Sequence, residues 1–334
     1  MNWTTPVIIK EEKGYLRHGS PMLLMGSCFA ENVGMYLNDA HMDVVVNPFG
    51  TLYNPESLAM ALHRLMTGKP YVVEELNENG EIWYSYHHHG RYSHATATDT
   101  LAHINASYMQ AVRQLPRCER LIITFGTAYV YRLKSDGSVV ANCHKQPASL
   151  FTRSRLNVDE IIALWRELLD KLFDYSPRCQ VLFTVSPIRH MSDGARDNQL
   201  SKSTLLLAVD ALCKLYPDRC SYFPAYEIMM DELRDYRFYA EDMTHPSAQA
   251  VSYICRRMVD TYFTDETKQI AEKCIKVKRG LQHRPLNGSR SQSYKQFAAG
   301  LLRQVEQIEQ MHSCITLENE KIELKKIIDN TDEL

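Results

Sequence analysis

The segment that most constrains the fold is residues 21–37, PMLLMGSCFAENVGMYL. Met22–Met25 is an apolar run of strand length, Gly26 allows a turn, and Phe29–Leu37 has the composition of a helix. A strand that turns directly into a helix is typical of an α/β fold. It places Ser27 at a helix N-terminus, where free N–H groups can stabilise negative charge. Ser27 can be a helix N-cap or a nucleophile, and this segment alone favours the N-cap.

Alternating strand-like and helix-like segments follow along the rest of residues 42–263. The strand-like ones are Met42–Val46, Leu121–Phe125, Val181–Val185 and Ser221–Tyr226, and the helix-like ones are Leu58–Met66, 100–115, Val158–Phe173, Leu200–Leu215 and Ser247–Phe263. This alternation predicts an α/β fold of three layers, α/β/α, with a mostly parallel sheet. A hairpin is predicted where Ser135-Asp136-Gly137 separates Val130–Leu133 from Val139–Ala141.

Small and polar residues follow the predicted strands. They are Ser27, Gly50, Gly126 with Thr127, and Ser186 with Pro187. Because ligands of parallel sheets bind beyond the carboxyl ends of the strands, we expect these residues along one edge of the molecule. The loops expected to line a pocket there are 47–57, 83–95, 127–131, 143–151 and 186–202.

The composition changes after residue 264, which predicts a main domain over 1–264 and a helical extension over 265–334. Glu266–Val277, Tyr294–His312 and Ile315–Ile328 are charged and helix-like, and His283–Gln292 is rich in Pro, Gly, Ser and Arg. The last helix has too few apolar residues for a core of its own. We therefore expect an appended arm that could mediate homo-oligomer contacts.

Charge and cysteine content narrow the class of protein. The 38 basic and 40 acidic residues balance to a formal charge of −2, which argues against nucleic-acid or anionic-membrane partners. No run of about 18 apolar residues and no secretory signal is visible. The nine cysteines are scattered without CxxC spacing, so reduced thiols and a cytoplasmic location are expected. No pattern calls for a metal or an organic cofactor.

A serine nucleophile requires a base within hydrogen-bond reach. The best base is His245 in the segment YAEDMTHPS, because Asp242 precedes it by three residues and can bind one imidazole nitrogen in a turn. The alternative is that Asp242 and His245 only shape the turn before the helix at Ser247. Cys28 is a rival nucleophile beside the same helix N-terminus, although packing against the sheet is favoured for it.

Several motifs together give a more specific indication. They are GSCFA (26–30), NPFGTLYNP (47–55), FGTAYVY (125–131), ANCHKQP (141–147), SPIRH (186–190), NQLSK (198–202) and DMTHPS (242–247). On these motifs the chain resembles the GSCFA family over about residues 1–265. That family is similar to the SGNH/GDSL hydrolases and resembles plant-type polysaccharide acyl esterases, which use an early serine and a late DxxH on a flavodoxin-like sheet.

The resemblance implies a catalytic triad. Ser27 would be the nucleophile and His245 the general base, oriented by Asp242. Gly50 would donate its backbone N–H to the oxyanion.

Gly126 would correspond to the glycine of the third motif block of these hydrolases, GxND. This chain reads Gly126-Thr127-Ala128-Tyr129 and lacks the asparagine that normally completes the oxyanion hole. The hydroxyl of Thr127 or the amide of Asn47 could substitute for it.

Further residues are candidates for substrate contacts. His144 is expected at the pocket rim, and Arg189 and His190 follow a strand end where they could contact an anionic or carbonyl group. Asn198 and Lys202, one helical turn apart, could face the same site. Metal binding by His87, His88 and His89 is disfavoured, because neighbouring histidines on a strand point to opposite faces.

The predicted function is that of an SGNH-type esterase that removes O-acyl groups from a carbohydrate or small metabolite. Acyl transfer to an alcohol would use the same residues. A non-catalytic binding or assembly protein on the same fold is the alternative, and catalysis by Cys28 is the third possibility.

Overall fold

The computed structural model describes residues 4–282 and 292–329. Two compact units are present. The first contains residues 4–10, Pro21–Gly34 and Val44–Arg257. The second contains Glu11–Ser20, Met35–Asp43 and the described residues from Met258 onward. None of the described helices has the length and apolar character that crossing a membrane requires.

The first unit is built on a five-stranded parallel sheet with strand order β2-β1-β5-β9-β10. In chain order this is 2-1-3-4-5, the order of flavodoxin-like sheets, so the predicted fold class is confirmed. The strands of the described residues are β1 (Met22–Gly26), β2 (Val44–Val46), β3 (Asn77–Glu78), β4 (Trp83–Tyr84), β5 (Arg120–Phe125), β6 (Tyr129–Leu133), β7 (Val139–Val140), β8 (Phe151–Arg155), β9 (Gln180–Val185) and β10 (Cys220–Tyr222).

The helices of the described residues belong to both units. They are α1 (Cys28–Asp39), α2 (Pro55–Thr67), α3 (Ala97–Gln114), α4 (Val158–Tyr175), α5 (Gly194–Leu215), the short α6 (Ala225–Glu227), α7 (Ala248–Tyr262), α8 (Asp265–Leu281), α9 (Gln292–Met311) and α10 (Glu318–Asp329). The start of α2 shows why the chain turns where it does. Asn54 caps it by accepting the Ser57 N–H at 2.8 Å, and Pro55 occupies the first helical position.

Both faces of the sheet are covered, as the continuous apolar strands require. On one face, alternate residues of the strands pack against α2, α3, α4 and α5, with Trp165 fully buried against Phe125 and Phe183. On the other face, Gly34 of α1 lies so close to Val46 that a Cβ there would meet its side chain at 2.4 Å. The result is the three-layer arrangement predicted from the sequence.

The predicted hairpin forms, but it belongs to a three-stranded antiparallel sheet, β7-β6-β8. Strand β8 was not predicted, because its residues FTRSR are mostly polar and exposed and give no apolar alternation. Residues 87–89 lie in a turn rather than a strand. The prediction that they are neighbours on a strand, from which a metal site at these histidines was disfavoured, is therefore wrong.

The C-terminal helices of the second unit share a hydrophobic core. Its buried residues are Ile270, Cys274, Val277, Ala298, Leu301, Val305, Ile308, Ile315, Leu317 and Leu324. Leu324 of α10 is completely buried there, so the last helix contributes to a shared core rather than forming one of its own. The predicted linker His283–Gln292 lies outside the described residues except for Gln292. The sequence-based boundary after residue 264 falls inside this unit and stays a prediction about domain organisation.

A buried lysine holds two strand ends together. Lys202 on α5 is completely buried, and its Nζ donates to the carbonyl oxygens of Gly126, after β5, and Ser186, after β9, at 2.7 Å each. Loss of water around the charge, and then the nearby Arg189, lower the pKa of this lysine from 10.5 to about 7. The neutral amine keeps its N–H donors, so the link does not depend on the charge.

This lowered pKa predicts a stability that rises with pH. Below pH 7 the folded and unfolded states both hold the Lys202 proton, whereas between pH 7 and 10 the unfolded chain holds more of it. The unfolding free energy of the wild type minus that of Lys202→Met should therefore increase above pH 7, by up to about 1.4 kcal/mol per pH unit. Urea unfolding at pH 6.5, 7.5 and 8.5 measures this difference.

Lys214→Met is the matched control, because Lys214 is an exposed lysine of the same helix that pairs with Asp210. Its difference from the wild type should stay constant over the same pH range. A constant difference for Lys202→Met as well would contradict the lowered pKa.

Candidate active site

A pocket of about 530 Å³ lies in the first unit, beyond the carboxyl ends of the parallel strands. It lies at the switch point of the sheet, because Ser27 follows β1 and Thr127 follows β5, the two strands between which the chain order reverses. The pocket is lined by Ser27, Tyr53, Asn54, Thr127, Tyr129, Tyr131, Val140, Ala141, Arg153, Ser186, Ile188, Arg189, His190, Met191, Ser192, Asp193, Thr244 and His245. Loops 83–95 and 143–151 contribute nothing to this lining.

The turn that presents Ser27 depends on Gly26. Its φ is +151°, and a Cβ at this position would stand 2.5 Å from the Thr124 carbonyl oxygen of β5. The Gly26 N–H donates to Asn47 Oδ1 at 2.9 Å. Backbone contact with the neighbouring strand therefore leaves room for no side chain, and Ser27 emerges directly at the strand end.

Ser27 is the N-cap of α1. Its Oγ accepts the N–H of Phe29 at 3.2 Å, and the residue is almost fully buried. The parallel pairing of Gly26 with Thr124 directs the N–H of Ser27 toward the Thr124 carbonyl of β5. The prediction that Ser27 stands at a helix N-terminus is confirmed.

Asp242 and His245 form a compact turn. Asp242 Oδ1 accepts the N–H groups of Thr244 and His245 at 2.9 Å each, and Oδ2 lies 2.5 Å from His245 Nδ1. These bonds, first the N–H of His245 and then that of Thr244, lower the pKa of Asp242 well below its ordinary value. The carboxylate is thereby held ionised against Nδ1, which leaves Nε2 free.

The pocket brings Ser27 and His245 together in one lining, but they are not hydrogen-bonded to each other. Ser27 Oγ is engaged with Phe29, and half of the His245 side chain is exposed. Catalytic hydrogen bonds are often long or absent before substrate binds. Asp242 and His245 are therefore already in contact with each other. A hydrogen bond between His245 and Ser27 requires the Ser27 side chain to rotate.

Two predicted oxyanion residues are not in a position to act. The Gly50 N–H donates to the Asn47 carbonyl at 2.7 Å, and Gly50 is absent from the pocket lining. The Gly126 N–H donates to the Tyr53 carbonyl at 2.7 Å. Both predictions need correction, because turn formation between loop residues uses these donors.

The two substitutes proposed from the sequence differ in placement. Asn47 is buried with φ +44° and orients the Gly26 amide, and its Nδ2 has no partner, but it does not line the pocket. Thr127 does line the pocket. Its Oγ1 accepts the Tyr129 N–H at 3.2 Å and lies 3.1 Å from Ser201 Oγ.

Ser201 can leave the Thr127 proton free. Its Oγ accepts the Ala128 N–H at 2.8 Å, so its own proton can point to Thr127 Oγ1. In that arrangement Thr127 accepts two bonds and its hydroxyl proton remains for a ligand in the pocket.

Cys28 lies behind the pocket rather than in its lining. Its sulfur is 3.5 Å from the Tyr53 hydroxyl, which is also 3.3 Å from Thr51 Oγ1. Burial and the Cys28 contact raise the pKa of Tyr53 to about 12. Cys28 is half-buried, and the packing against the sheet that was favoured for it stays a prediction.

Residues 186–190 are held in place by hydrogen bonds with two side chains of α5. Asn198 Oδ1 accepts the His190 N–H at 2.9 Å, and Lys202 binds the Ser186 carbonyl, so the two predicted neighbours on α5 do contact one loop. His190 lines the pocket with its Nε2 buried and unpartnered. Burial, and then the charge of Lys202, lower the pKa of His190 to about 4, so it is neutral at pH 7.

Part of the pocket wall comes from the antiparallel sheet. Tyr129 and Tyr131 alternate along β6 and share one face, and Arg153 of β8 stacks over Tyr129 at 3.8 Å. Arg153 also pairs with Asp193 at 2.5 Å. The two tyrosines belong to the predicted lining loop 127–131, whereas Arg153 could not be found without knowledge of β8.

His144 and the three consecutive histidines lie outside the pocket. His144 Nε2 bonds to the Ser85 carbonyl at 2.9 Å and its ring packs on Tyr84, so its predicted place at the rim is wrong. His87 contacts the Tyr71 hydroxyl and His88 stacks on Phe49. No group of three or more metal-binding side chains occurs in residues 4–282 and 292–329.

Two protein-family models match two separate parts of the chain. Residues 21–258 match the model of the GSCFA family, and residues 275–330 match that of the GSCFA domain protein, C-terminal domain. No curated protein matches the chain. Among solved structures, it is similar to an acetyl xylan esterase (Est2A) from the rumen bacterium Butyrivibrio proteoclasticus, with 11% identity and a TM-score of 0.36.

That similarity covers 77% of this chain and 64% of the esterase, so the chain spans less than two thirds of that enzyme. The family match is independent of it and covers well over half of the chain. The resemblance seen in the motifs is confirmed: the protein belongs to the GSCFA family.

Proposed function

We propose that this protein is a serine ester hydrolase that removes an O-acyl group from a carbohydrate or small metabolite. The observation that carries the proposal is that one pocket contains both Ser27, at the end of β1, and His245, whose Nδ1 is held by Asp242. A nucleophile, a base and a group that orients the base are the parts that acyl transfer through a serine requires.

In the proposed mechanism, Ser27 Oγ leaves the Phe29 N–H and rotates toward His245. Nε2 of His245 takes the hydroxyl proton as Oγ attacks the ester carbonyl, and Asp242 stabilises the imidazolium that forms. The same imidazolium then protonates the leaving alcohol. Water attacks the acyl-serine by the reverse sequence of proton transfers, and an alcohol in place of water would give acyl transfer.

For the oxyanion hole we propose the Thr127 hydroxyl. Thr127 keeps a proton for a ligand when Ser201 donates to it. Thr127 would then replace the missing asparagine of the third motif block, in the role that the sequence suggested for it.

The tyrosines of the wall support a carbohydrate or similarly polar substrate. Tyr53, Tyr129 and Tyr131 line the pocket, and tyrosine combines a flat apolar ring with a hydroxyl group, which suits ligands with both apolar and hydrogen-bonding surface.

A non-catalytic binding protein is the alternative. It is favoured by the hydrogen bond that engages Ser27 Oγ as an N-cap and by the missing asparagine.

Hydrolysis of 4-nitrophenyl acetate distinguishes these alternatives. Ser27→Ala and His245→Ala should each lower kcat by about 1,000-fold or more, because the nucleophile and its base act as a unit. Cys28→Ala is the matched control, since it changes the neighbouring residue on the same helix, and it should keep most of the activity. Loss of activity in Cys28→Ala with retention in Ser27→Ala would show that the thiol is the nucleophile.

Asp242→Asn tests the orientation of the base. The amide oxygen can still accept the N–H groups of Thr244 and His245, but the negative charge beside Nδ1 is lost. We expect kcat to fall by about 100- to 10,000-fold with little change in KM. Because the pKa of Asp242 is lowered, the wild type should keep this charge at pH 4 to 5. An unchanged kcat in Asp242→Asn would exclude the triad.

Thr127→Val tests the oxyanion assignment. Removing one donor should lower kcat by about 100- to 1,000-fold while substrate binding changes little. Thr184→Val is the control, because the Thr184 hydroxyl is buried on β9 without a partner. Equal activity of the two variants would show that the Thr127 hydroxyl is not part of the oxyanion hole.

A further inference from the structure

Arg189 carries a positive charge that the protein does not neutralise. It lines the pocket, makes no side-chain hydrogen bond and has no carboxylate within ion-pair distance among the described residues. Its Nε is buried and unpartnered. A buried unsatisfied donor costs free energy and needs an explanation, and a guanidinium is the side chain best shaped to bind an oxyanion through two nitrogens.

The second arginine of the pocket provides the contrast. Arg153 is paired with Asp193 and stacked on Tyr129, so its charge is already neutralised. The same pocket therefore holds one guanidinium with a carboxylate partner and one without.

Charges around Arg189 add to this imbalance. The buried Lys202 lies close enough that Arg189 contributes to lowering its pKa, and His190 is neutral at pH 7. The carboxylate of Asp193 is taken by Arg153, and that of Asp242 by His245. No negative charge in the lining remains for Arg189.

Arg189 is also close to the proposed base. Its backbone N–H donates to the Thr244 carbonyl at 3.2 Å, one residue before His245. A group bound by Arg189 would therefore lie beside the reacting ester rather than in a separate site.

We propose that the substrate is an ester that also carries an anionic oxyacid group, a carboxylate or a phosphate, which Arg189 binds. The inference builds on the proposed esterase and names the class of its substrate. Arg189 thereby becomes the residue that determines specificity between charged and neutral esters.

Direct binding tests this without relying on catalysis. Calorimetry with 4-hydroxybenzoate, phenyl phosphate and the neutral 4-hydroxybenzamide compares the wild type, Arg189→Met and Arg189→Lys. At least one anion should bind the wild type more tightly than the amide does, and Arg189→Met should weaken it by about 10- to 100-fold. The two anions separate a carboxylate site from a phosphate site. Arg189→Lys keeps the charge and should lose less, which keeps the test valid if the methionine variant misfolds.

Arg196→Met is the matched control, because it removes the same charge from an exposed arginine outside the pocket. It should change anion binding by less than about twofold. Equal binding of the anions by the wild type and both Arg189 variants would overturn the proposal.

Turnover provides the second measurement. The ratio of kcat/KM for 4-acetoxybenzoate to that for its methyl ester should fall about 10- to 100-fold in Arg189→Met. A loss equal for both esters would overturn the proposal, because it would place Arg189 at the oxyanion. If no ester is hydrolysed while Arg189-dependent anion binding persists, the esterase proposal fails and the anion site stands.

Discussion

The close approach of Gly26 to Thr124 is the contact on which the pocket depends. Two parallel strands meet so tightly that no side chain fits between them, and the chain must turn immediately into α1. Ser27 is therefore set at the switch point of the sheet, beside the end of β5. Lys202 completes the arrangement by tying the end of β5 to the end of β9, which fixes the loop that carries Arg189 and His190.

The two halves of the proposed triad are held in different ways. Ser27 sits on a turn enforced by the sheet and is almost fully buried, whereas Asp242 and His245 stand in an exposed loop and are organised mainly by their own hydrogen bonds. In the proposed mechanism, the buried part would hold the reacting oxygen and the exposed part would take up and return the proton.

Much of this could be predicted from the sequence, because apolar periodicity and turn residues are local signals. The mostly parallel sheet, the placement of Ser27 at a helix start and the pairing of Asp242 with His245 followed from such signals. Hydrogen bonds within loops could not be predicted. Gly50 and Gly126 were therefore placed at the oxyanion hole, although their N–H groups donate to neighbouring carbonyls. Arg153 was missed because β8 is polar and exposed. The core shared by the C-terminal helices was also missed, because each helix alone has few apolar residues.

The central claim, that Ser27 is a nucleophile activated by His245, is tested most directly by reaction with a fluorophosphonate and peptide mapping of the adduct. The account predicts one adduct, on Ser27, that forms in the wild type and in Cys28→Ala and is lost or strongly slowed in His245→Ala. An intact wild-type protein without an adduct, or with the adduct on another residue, would contradict it and leave Ser27 as a helix cap.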